Sequence, residues 1–460
     1  MDLNNYLFFE DMKKDDKTKK EEEEEEEVEE IEEEIEEEEE FEDQIGEDFA
    51  KDPRAYSYSQ DAGRIADEAL QALISKCKPG ANIYDLCAES DALIMEKLSK
   101  IYIKKKFIKG LAFPTSISVN EVCGNYSAAA ELTDDAHEYK TLSEGDVAKI
   151  DLGVEINGFP AVVAYTVVVS SKDEKVSGKK ADAILAAYTA LQAALRMMKV
   201  KSNTNNDVTK AIESICKDYG VNPIEGVLSH RMKRDIIDGM ECIINKSTFE
   251  QKVDDRQFEH GDVFGMDVIV STGEGKPKET GIKTTVYKRA LETTYKLRTD
   301  SGRKLLSVVE NNFYSFPFSF NVFDKEDNLK LKAPIQNLKT TMKLGLNECT
   351  KYELLHAYPV LSEKKGEIVA QFKYTIAVRE EGPIILAGLP LDVTKFESDK
   401  KVTDEKITKT LESNLDDYLP NYKKSVKQEK KKKDNKAKRA AKKAAKQKRK
   451  EEEKKKQESK

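Results

Sequence analysis

No run of about 18 apolar residues occurs in the chain, so no transmembrane helix is expected. The start, MDLNNYLFFEDMKKDDK, has no basic segment ahead of its very short apolar patch, so no secretory signal is expected either. Cys77, Cys87, Cys123, Cys216, Cys242 and Cys349 lie far apart and never form a CxxC pair. That spacing argues against a disulfide framework or a zinc ribbon and predicts reduced thiols in the cytosol or nucleus. The glycine-rich stretch S-T-G-E-G-K-P-K, from Ser271 to Lys278, lacks the spacing and following helix of a phosphate-binding loop.

What is present is charge, unevenly spread. Of 460 residues 36% are charged, the mean hydropathy is −0.65 and the net charge is −10. Residues 21–48 hold 21 acids and no base, while residues 421–460 hold 20 bases against 6 acids. The remainder is near neutral and long enough for a substantial core. We therefore expect a disordered acidic arm over 1–54, a folded domain over 55–395, and a linker with a Lys-rich tail over 396–460.

Within the folded part, Ile65, Ala66, Leu70, Leu73 and Ile74 form a three-four stripe that predicts a helix ended by Pro79-Gly80. A second helix is predicted from Ile83 to about Leu98, and a β-branched strand from Ala112 to Asn120. Asn157-Gly158 between two apolar runs predicts a two-residue hairpin. Helices are predicted over 179–199 and from a cap at Asn205 or Asn206 to Gly220, with a strand over 224–230. The segment from about 283 to 345 reads as an insert holding one helix, about Leu305 to Phe313, among aromatic and polar loops. The strand pattern resumes at 356–361, and Ile368–Val378 is expected to pair with it as a hairpin after Gly366. The basic stretch I-K-K-K-F-I-K-G (103–110) fits either a solvated strand edge or part of a binding face.

One motif occurs twice. G-D-V-A-K-I-D-L-G starts at Gly145, and G-D-V-F-G-M-D-V-I starts at Gly261. Each is a turn followed by an apolar strand carrying one carboxylate, Asp151 or Asp267. A carboxylate in an apolar strand is costly unless it is paired, hydrogen-bonded or bound to metal. Two such strands suggest half-domains that bring their acids to a shared centre.

A-F-P-T-S-I-S-V-N, K-I-D-L-G, L-S-H (228–230), S-T-G-E-G-K and A-Q-F-K-Y-T (370–375) follow in an order that resembles the methionine aminopeptidase/creatinase family. Closer still is its proliferation-associated, or ErbB3-binding, branch. The resemblance implies an α+β pita-bread fold with a pseudo-twofold repeat and a type 2-like insert. In the active enzymes two Asp, one His and two Glu hold two metals, and another His contacts substrate. Carried over one position at a time, the first Asp is Asp151 and the second is Val162. The ligand His is His230, the first Glu is Asp267, the last Glu is Lys373, and the substrate-contacting His is Asn125. Val162 offers no lone pair, and Lys373 places a cation where an anion bridged the metals. Lys373 is therefore expected to pair with Asp151 or Asp267 in place of metal, leaving no cofactor and no catalysis.

Function is then expected on basic surfaces. The insert region carries Lys276, Lys278, Lys283, Lys288, Arg289, Lys296, Arg298, Arg303 and Lys304, with Tyr287 and Tyr295 interleaved. The tail adds Lys430, Lys431, Lys432 and Lys433 within a longer basic run. Such groups suit phosphate neutralisation and stacking on RNA, or a nuclear localisation signal. The resemblance implies a monomer that binds the large ribosomal subunit, rRNA or other structured RNA in cytoplasm, nucleus and nucleolus. Its roles would lie in ribosome biogenesis, translation or growth control. The other classes are an adaptor for signalling or transcription proteins and an active metal-dependent methionine aminopeptidase.

Overall fold

The computed structural model of the chain describes residues 45–420, except 130–138, 173, 280, 325–328 and 332. The acidic arm as far as residue 44, and the tail from 421 with Lys430–Lys433, lie outside the described residues. By compactness the chain divides into Met1–Glu47 and Asp48–Lys460, and all that follows concerns the second unit.

Helix α1 spans Ala55–Lys76 and buries Ile65, Ala66, Leu70 and Leu73, as its stripe predicts. Helix α2 (Ile83–Ser99) is capped by the Asn82 side chain, which accepts from Asp85 N. Helix α3 is Gly178–Met197 and helix α4 is Asn205–Tyr219, closed by Gly220 in the left-handed region. The cap of α4 is Thr204, not Asn205 or Asn206. Thr204 and Asp207 accept reciprocally from each other's backbone N–H, a capping box. The Asn205 amide is committed elsewhere, donating to Cys242 O and Asp254 O.

The central sheet has nine strands: β1 (Lys109–Val119), β2 (Val147–Ile156), β3 (Phe159–Val168), β4 (Asn222–Pro223), β5 (Leu228–Met232), β6 (Cys242–Ile244), β7 (Val263–Ser271), β8 (Val369–Ala377) and β9 (Ile384–Ala387). Their order is β1-β2-β3-β8-β7-β5-β6, with β9 also on β8 and β4 on β7. The strand predicted over 224–230 is thus split, its pairing part shifted to 228–232. Asn157 (φ 55°) and Gly158 (φ 79°) make the predicted two-residue hairpin between β2 and β3. The hairpin expected after Gly366 does not form. Leu361–Ser362 joins a small separate sheet with Lys278–Glu279 and Val122–Gly124, while β8 enters the middle of the central sheet.

Side chains alternate across a strand, so each strand serves two faces. Ile150, Leu152 and Val154 of β2 face a core shared with α1 and α2. Met266, Val268 and Val270 of β7, with Phe372, Tyr374 and Ile376 of β8, face a core shared with α3 and α4. Asp151, Asp267 and Lys373 occupy the alternate positions and point away from the helices.

The repeat seen in the sequence is an atomic symmetry in the structure. Gly145 N donates to Val169 O and Val169 N to Asp146 O, while Gly261 N donates to Val378 O and Val378 N to Asp262 O. Counting from these closures pairs Asp151 with Asp267, Val162 with Gln371, Ala164 with Lys373, and Thr166 with Thr375. The two threonines interlock the halves. Thr166 Oγ1 donates to Gln371 O (2.6 Å) and accepts from Gln371 N (2.8 Å). Thr375 Oγ1 does the same to Val162 O and N, both at 2.8 Å.

The insert builds its own three-stranded sheet from Phe318–Ser319, Val286–Arg289 and Leu355–Tyr358. Two helices cover it: α5 (Asp300–Asn312) and α6 (Leu338–Lys351). The second was missed in the sequence because its stripe is only Leu338, Met342, Gly345 and Cys349. Gly345 is what lets α6 approach α5, since a Cβ there would stand 2.4 Å from Ser301 O.

Candidate functional site

A single register row runs across the middle of the central sheet. Ser116 on β1 faces Asp151 on β2, which faces Ala164 on β3; Ala164 faces Lys373 on β8, which faces Asp267 on β7. Directly opposed residues of antiparallel strands share a face. Because Ala164 is small, the Lys373 side chain crosses over it and reaches both acids. Its Nζ lies 2.5 Å from Asp151 Oδ2 and 3.1 Å from Asp267 Oδ2. Gln371, two residues back on the same face, donates to Asp151 Oδ2 (3.3 Å) and to both Asp267 oxygens (3.0 and 3.1 Å). The expectation that Lys373 takes one acid is exceeded, because it takes both.

Asp151 is 8% exposed and Asp267 is 7% exposed. Burial pushes the Asp151 carboxyl up to about 6, against the pull of Lys373. Lys373 itself is held above the ordinary lysine range by the two acids, which outweigh its own desolvation. The two directions are compatible, because two carboxylates and one ammonium leave one negative charge in excess in a dry place. Asp151 Oδ1 and the hydroxyl of its neighbour Ser116 are both buried with no hydrogen-bond partner among the described residues. A proton on Asp151 relieves that excess.

The remaining degenerate positions surround this group. Val162 is buried, its backbone held by Thr375. His230 Nδ1 lies 2.8 Å from Gly239 O, and a carbonyl only accepts, so the proton sits on Nδ1. Burial depresses its pKa and keeps the ring neutral. Asn125, in the left-handed region at φ 62°, donates to Pro359 O. Lys373 also lies 5.7 Å from the Phe113 ring centroid, and Phe113 packs edge-on against Tyr358.

These residues do not fit the two-metal centre that the resemblance implies. A dication needs several oxygen or imidazole ligands with net negative charge. Here an ammonium already occupies the space between the acids. Among the described residues no group of three or more His, Cys, Asp or Glu is arranged to hold a metal ion.

The basic residues of the insert region are less uniform than their sequence count implies. Lys288 is bound to Asp238 (2.5 Å), Arg289 to Glu310 (2.9 Å), and Lys304 to Asp300 (2.7 Å), with Arg303 also near Asp300. Tyr287 is buried in the insert core and cannot stack on a base, which corrects that expectation. Tyr295 stacks face to face on Tyr352 with centroids 3.8 Å apart. Lys276, Lys278, Lys283, Lys296 and Arg298 are exposed. The turn at Ser271–Lys278 is closed to phosphate, because Gly275 N and Lys276 N both donate to Glu363 Oε1.

The family model described as metallopeptidase family M24 matches residues 58–287. The chain is 40% identical to the "Curved DNA-binding protein" of Schizosaccharomyces pombe, over 76% of this chain and 88% of that protein. It is 38% identical to "Proliferation-associated protein A" of Dictyostelium discoideum, over 77% and 87%. Among solved structures, "a thermophilic Arx1" superposes with a TM-score of 0.71 at 30% identity, covering 79% of this chain and 99% of that one.

Proposed function

We infer the function of this chain from the premise that it belongs to metallopeptidase family M24, in its proliferation-associated branch, with the pita-bread fold of that family. Our reading is a non-catalytic aminopeptidase-like protein that binds the large ribosomal subunit and structured RNA, in the nucleus, nucleolus and cytoplasm. The observation that supports the first half is Lys373 lying between Asp151 and Asp267, the two acids that the family resemblance assigns to metal.

The second half is supported by basic groups that the fold leaves exposed, Lys276, Lys278, Lys296 and Arg298, and by the Lys-rich sequence after residue 421. Such groups bind phosphate by releasing counterions, a sequence-independent and salt-sensitive attraction. The S. pombe relative is named for binding curved DNA, another polyanion that such groups attract.

Co-sedimentation of the purified full chain with large ribosomal subunits tests it. Lys288 and Arg289 are unsuitable targets because reversing them breaks internal ion pairs. Reversal of the exposed pair, Lys296→Glu with Arg298→Glu, is expected to reduce pelleting, and added salt is expected to reduce it steeply. Pelleting that ignores salt would favour an adaptor acting on proteins alone.

A further inference from the structure

The stretch I-K-K-K-F was open in the sequence between a strand edge and a binding face. In the structure Lys109 begins β1, and Ile103–Lys106 stand in the loop ahead of it. Lys104, Lys105 and Lys106 are all exposed, and Ile103 is 76% exposed. Nearby Lys97 is paired with Glu68 and Lys100 with Glu96, whereas Lys104 and Lys105 enter no ion pair among the described residues. Lys104 and Lys105 thus carry positive charge that the described residues do not neutralise.

Its base is firmly held. Tyr102 adopts φ 50° and donates its hydroxyl to Asp61 Oδ2 at 2.7 Å. The Tyr102 and Phe107 rings pack against each other and both against Tyr58 of α1, with centroids 5.2 to 5.5 Å apart. Lys109 Nζ donates to Leu98 O and Ile101 O, fixing the end of α2 against the start of β1. Lys105 N closes a turn onto Tyr102 O at 3.0 Å. A loop fixed at both ends loses little backbone entropy when a partner docks, so its charges act at low ordering cost.

We propose that the loop Ile103–Lys106 is a preformed phosphate-contact surface for structured RNA. The inference rests on the RNA reading above and adds a contact site outside the insert and the tail. An anionic membrane is the competing source of phosphate, and the structure disfavours it. Ile103 is the one large apolar side chain exposed at the tip, and stable membrane binding needs more buried apolar area than one residue provides.

The test uses the full chain and a fluorescein-labelled RNA hairpin, titrated between 50 and 300 mM NaCl. Lys104→Ala with Lys105→Ala removes two exposed charges and should leave the thermal midpoint unchanged. Each lysine that contacts a phosphate contributes about one unit to the salt slope, so the double variant should lower the slope by about two and weaken binding at low salt. The basic tail is present in both proteins and cancels in the comparison. An unchanged slope in this variant, with Lys296→Glu/Arg298→Glu still weakened, overturns the loop proposal and leaves the RNA reading standing. Failure of the unmodified chain to bind the hairpin overturns both. Loss of binding to phosphatidylserine vesicles with unchanged RNA binding overturns the proposal in favour of a membrane.

Discussion

Ala164 and Lys373 face each other across the centre of the sheet at equivalent positions of the internal repeat. One half offers a methyl group and the other a long cation, and the difference lets one lysine serve two acids. Replacing Ala164 with Leu fills the path of that side chain. Overpacking alone costs about 1–3 kcal/mol, and displacement of Lys373 adds to it. Urea midpoints should show Ala164→Leu to be clearly less stable than the parent, whereas equal midpoints would mean that Lys373 does not need the space.

Lys373→Met should be more damaging than a surface lysine change. It leaves Asp151 and Asp267 together without a cation, and breaking a buried pair costs about 3–5 kcal/mol. A second substitution, Asp151→Asn, should recover part of the loss by removing one of the two negative charges. Additive losses in the double variant would contradict the shared charge balance.

The raised Asp151 carboxyl has a signed consequence. Its folded pKa of about 6 lies above the ordinary carboxylate value, so between about pH 4 and pH 6 the folded state holds a proton that the unfolded state has released. That contribution is fully present below about pH 4 and is lost as pH rises through about 6, on the order of 2–3 kcal/mol in total. The stability of the unmodified chain relative to Asp151→Asn should therefore fall between pH 4.5 and pH 7.5. Urea unfolding at the two pH values measures the difference, and a constant difference would refute the protonation.

Thr166 and Thr375 each satisfy both backbone groups of a residue in the opposite half. Substituting either with Val keeps the shape and orphans a buried N–H and C=O. At about 1–3 kcal/mol per buried unsatisfied group, each variant should lose several kcal/mol, far more than Thr→Val at an exposed position. Similar small losses at all sites would argue that the half-domains are held by apolar packing alone.

Much of this was legible in the sequence and some was not. The Gly-Asp turns, the Asn157-Gly158 hairpin and the acids on apolar strands are local signals, and each appears where its residues predict. The Lys373 contact was readable only because the motifs occur in a recognisable order, since 222 residues separate it from Asp151. Pairing of Lys288 with Asp238 is a similar long-range event, and counting charges along the chain made that lysine look free. Helix α6 was missed because Gly345 interrupts its stripe, and that glycine is explained only by its neighbour Ser301. Strand β8 was assigned a hairpin partner by proximity, whereas its apolar face and its two acid partners draw it to the centre of the sheet.

Release of methionine from a Met-Ala-Ser peptide, assayed on the purified full chain with added cobalt or manganese, decides whether the site around Lys373 is catalytic. No release above a heat-inactivated control is expected, because the Lys373 ammonium holds both acids. Metal-dependent release that disappears in Asp151→Asn would contradict it.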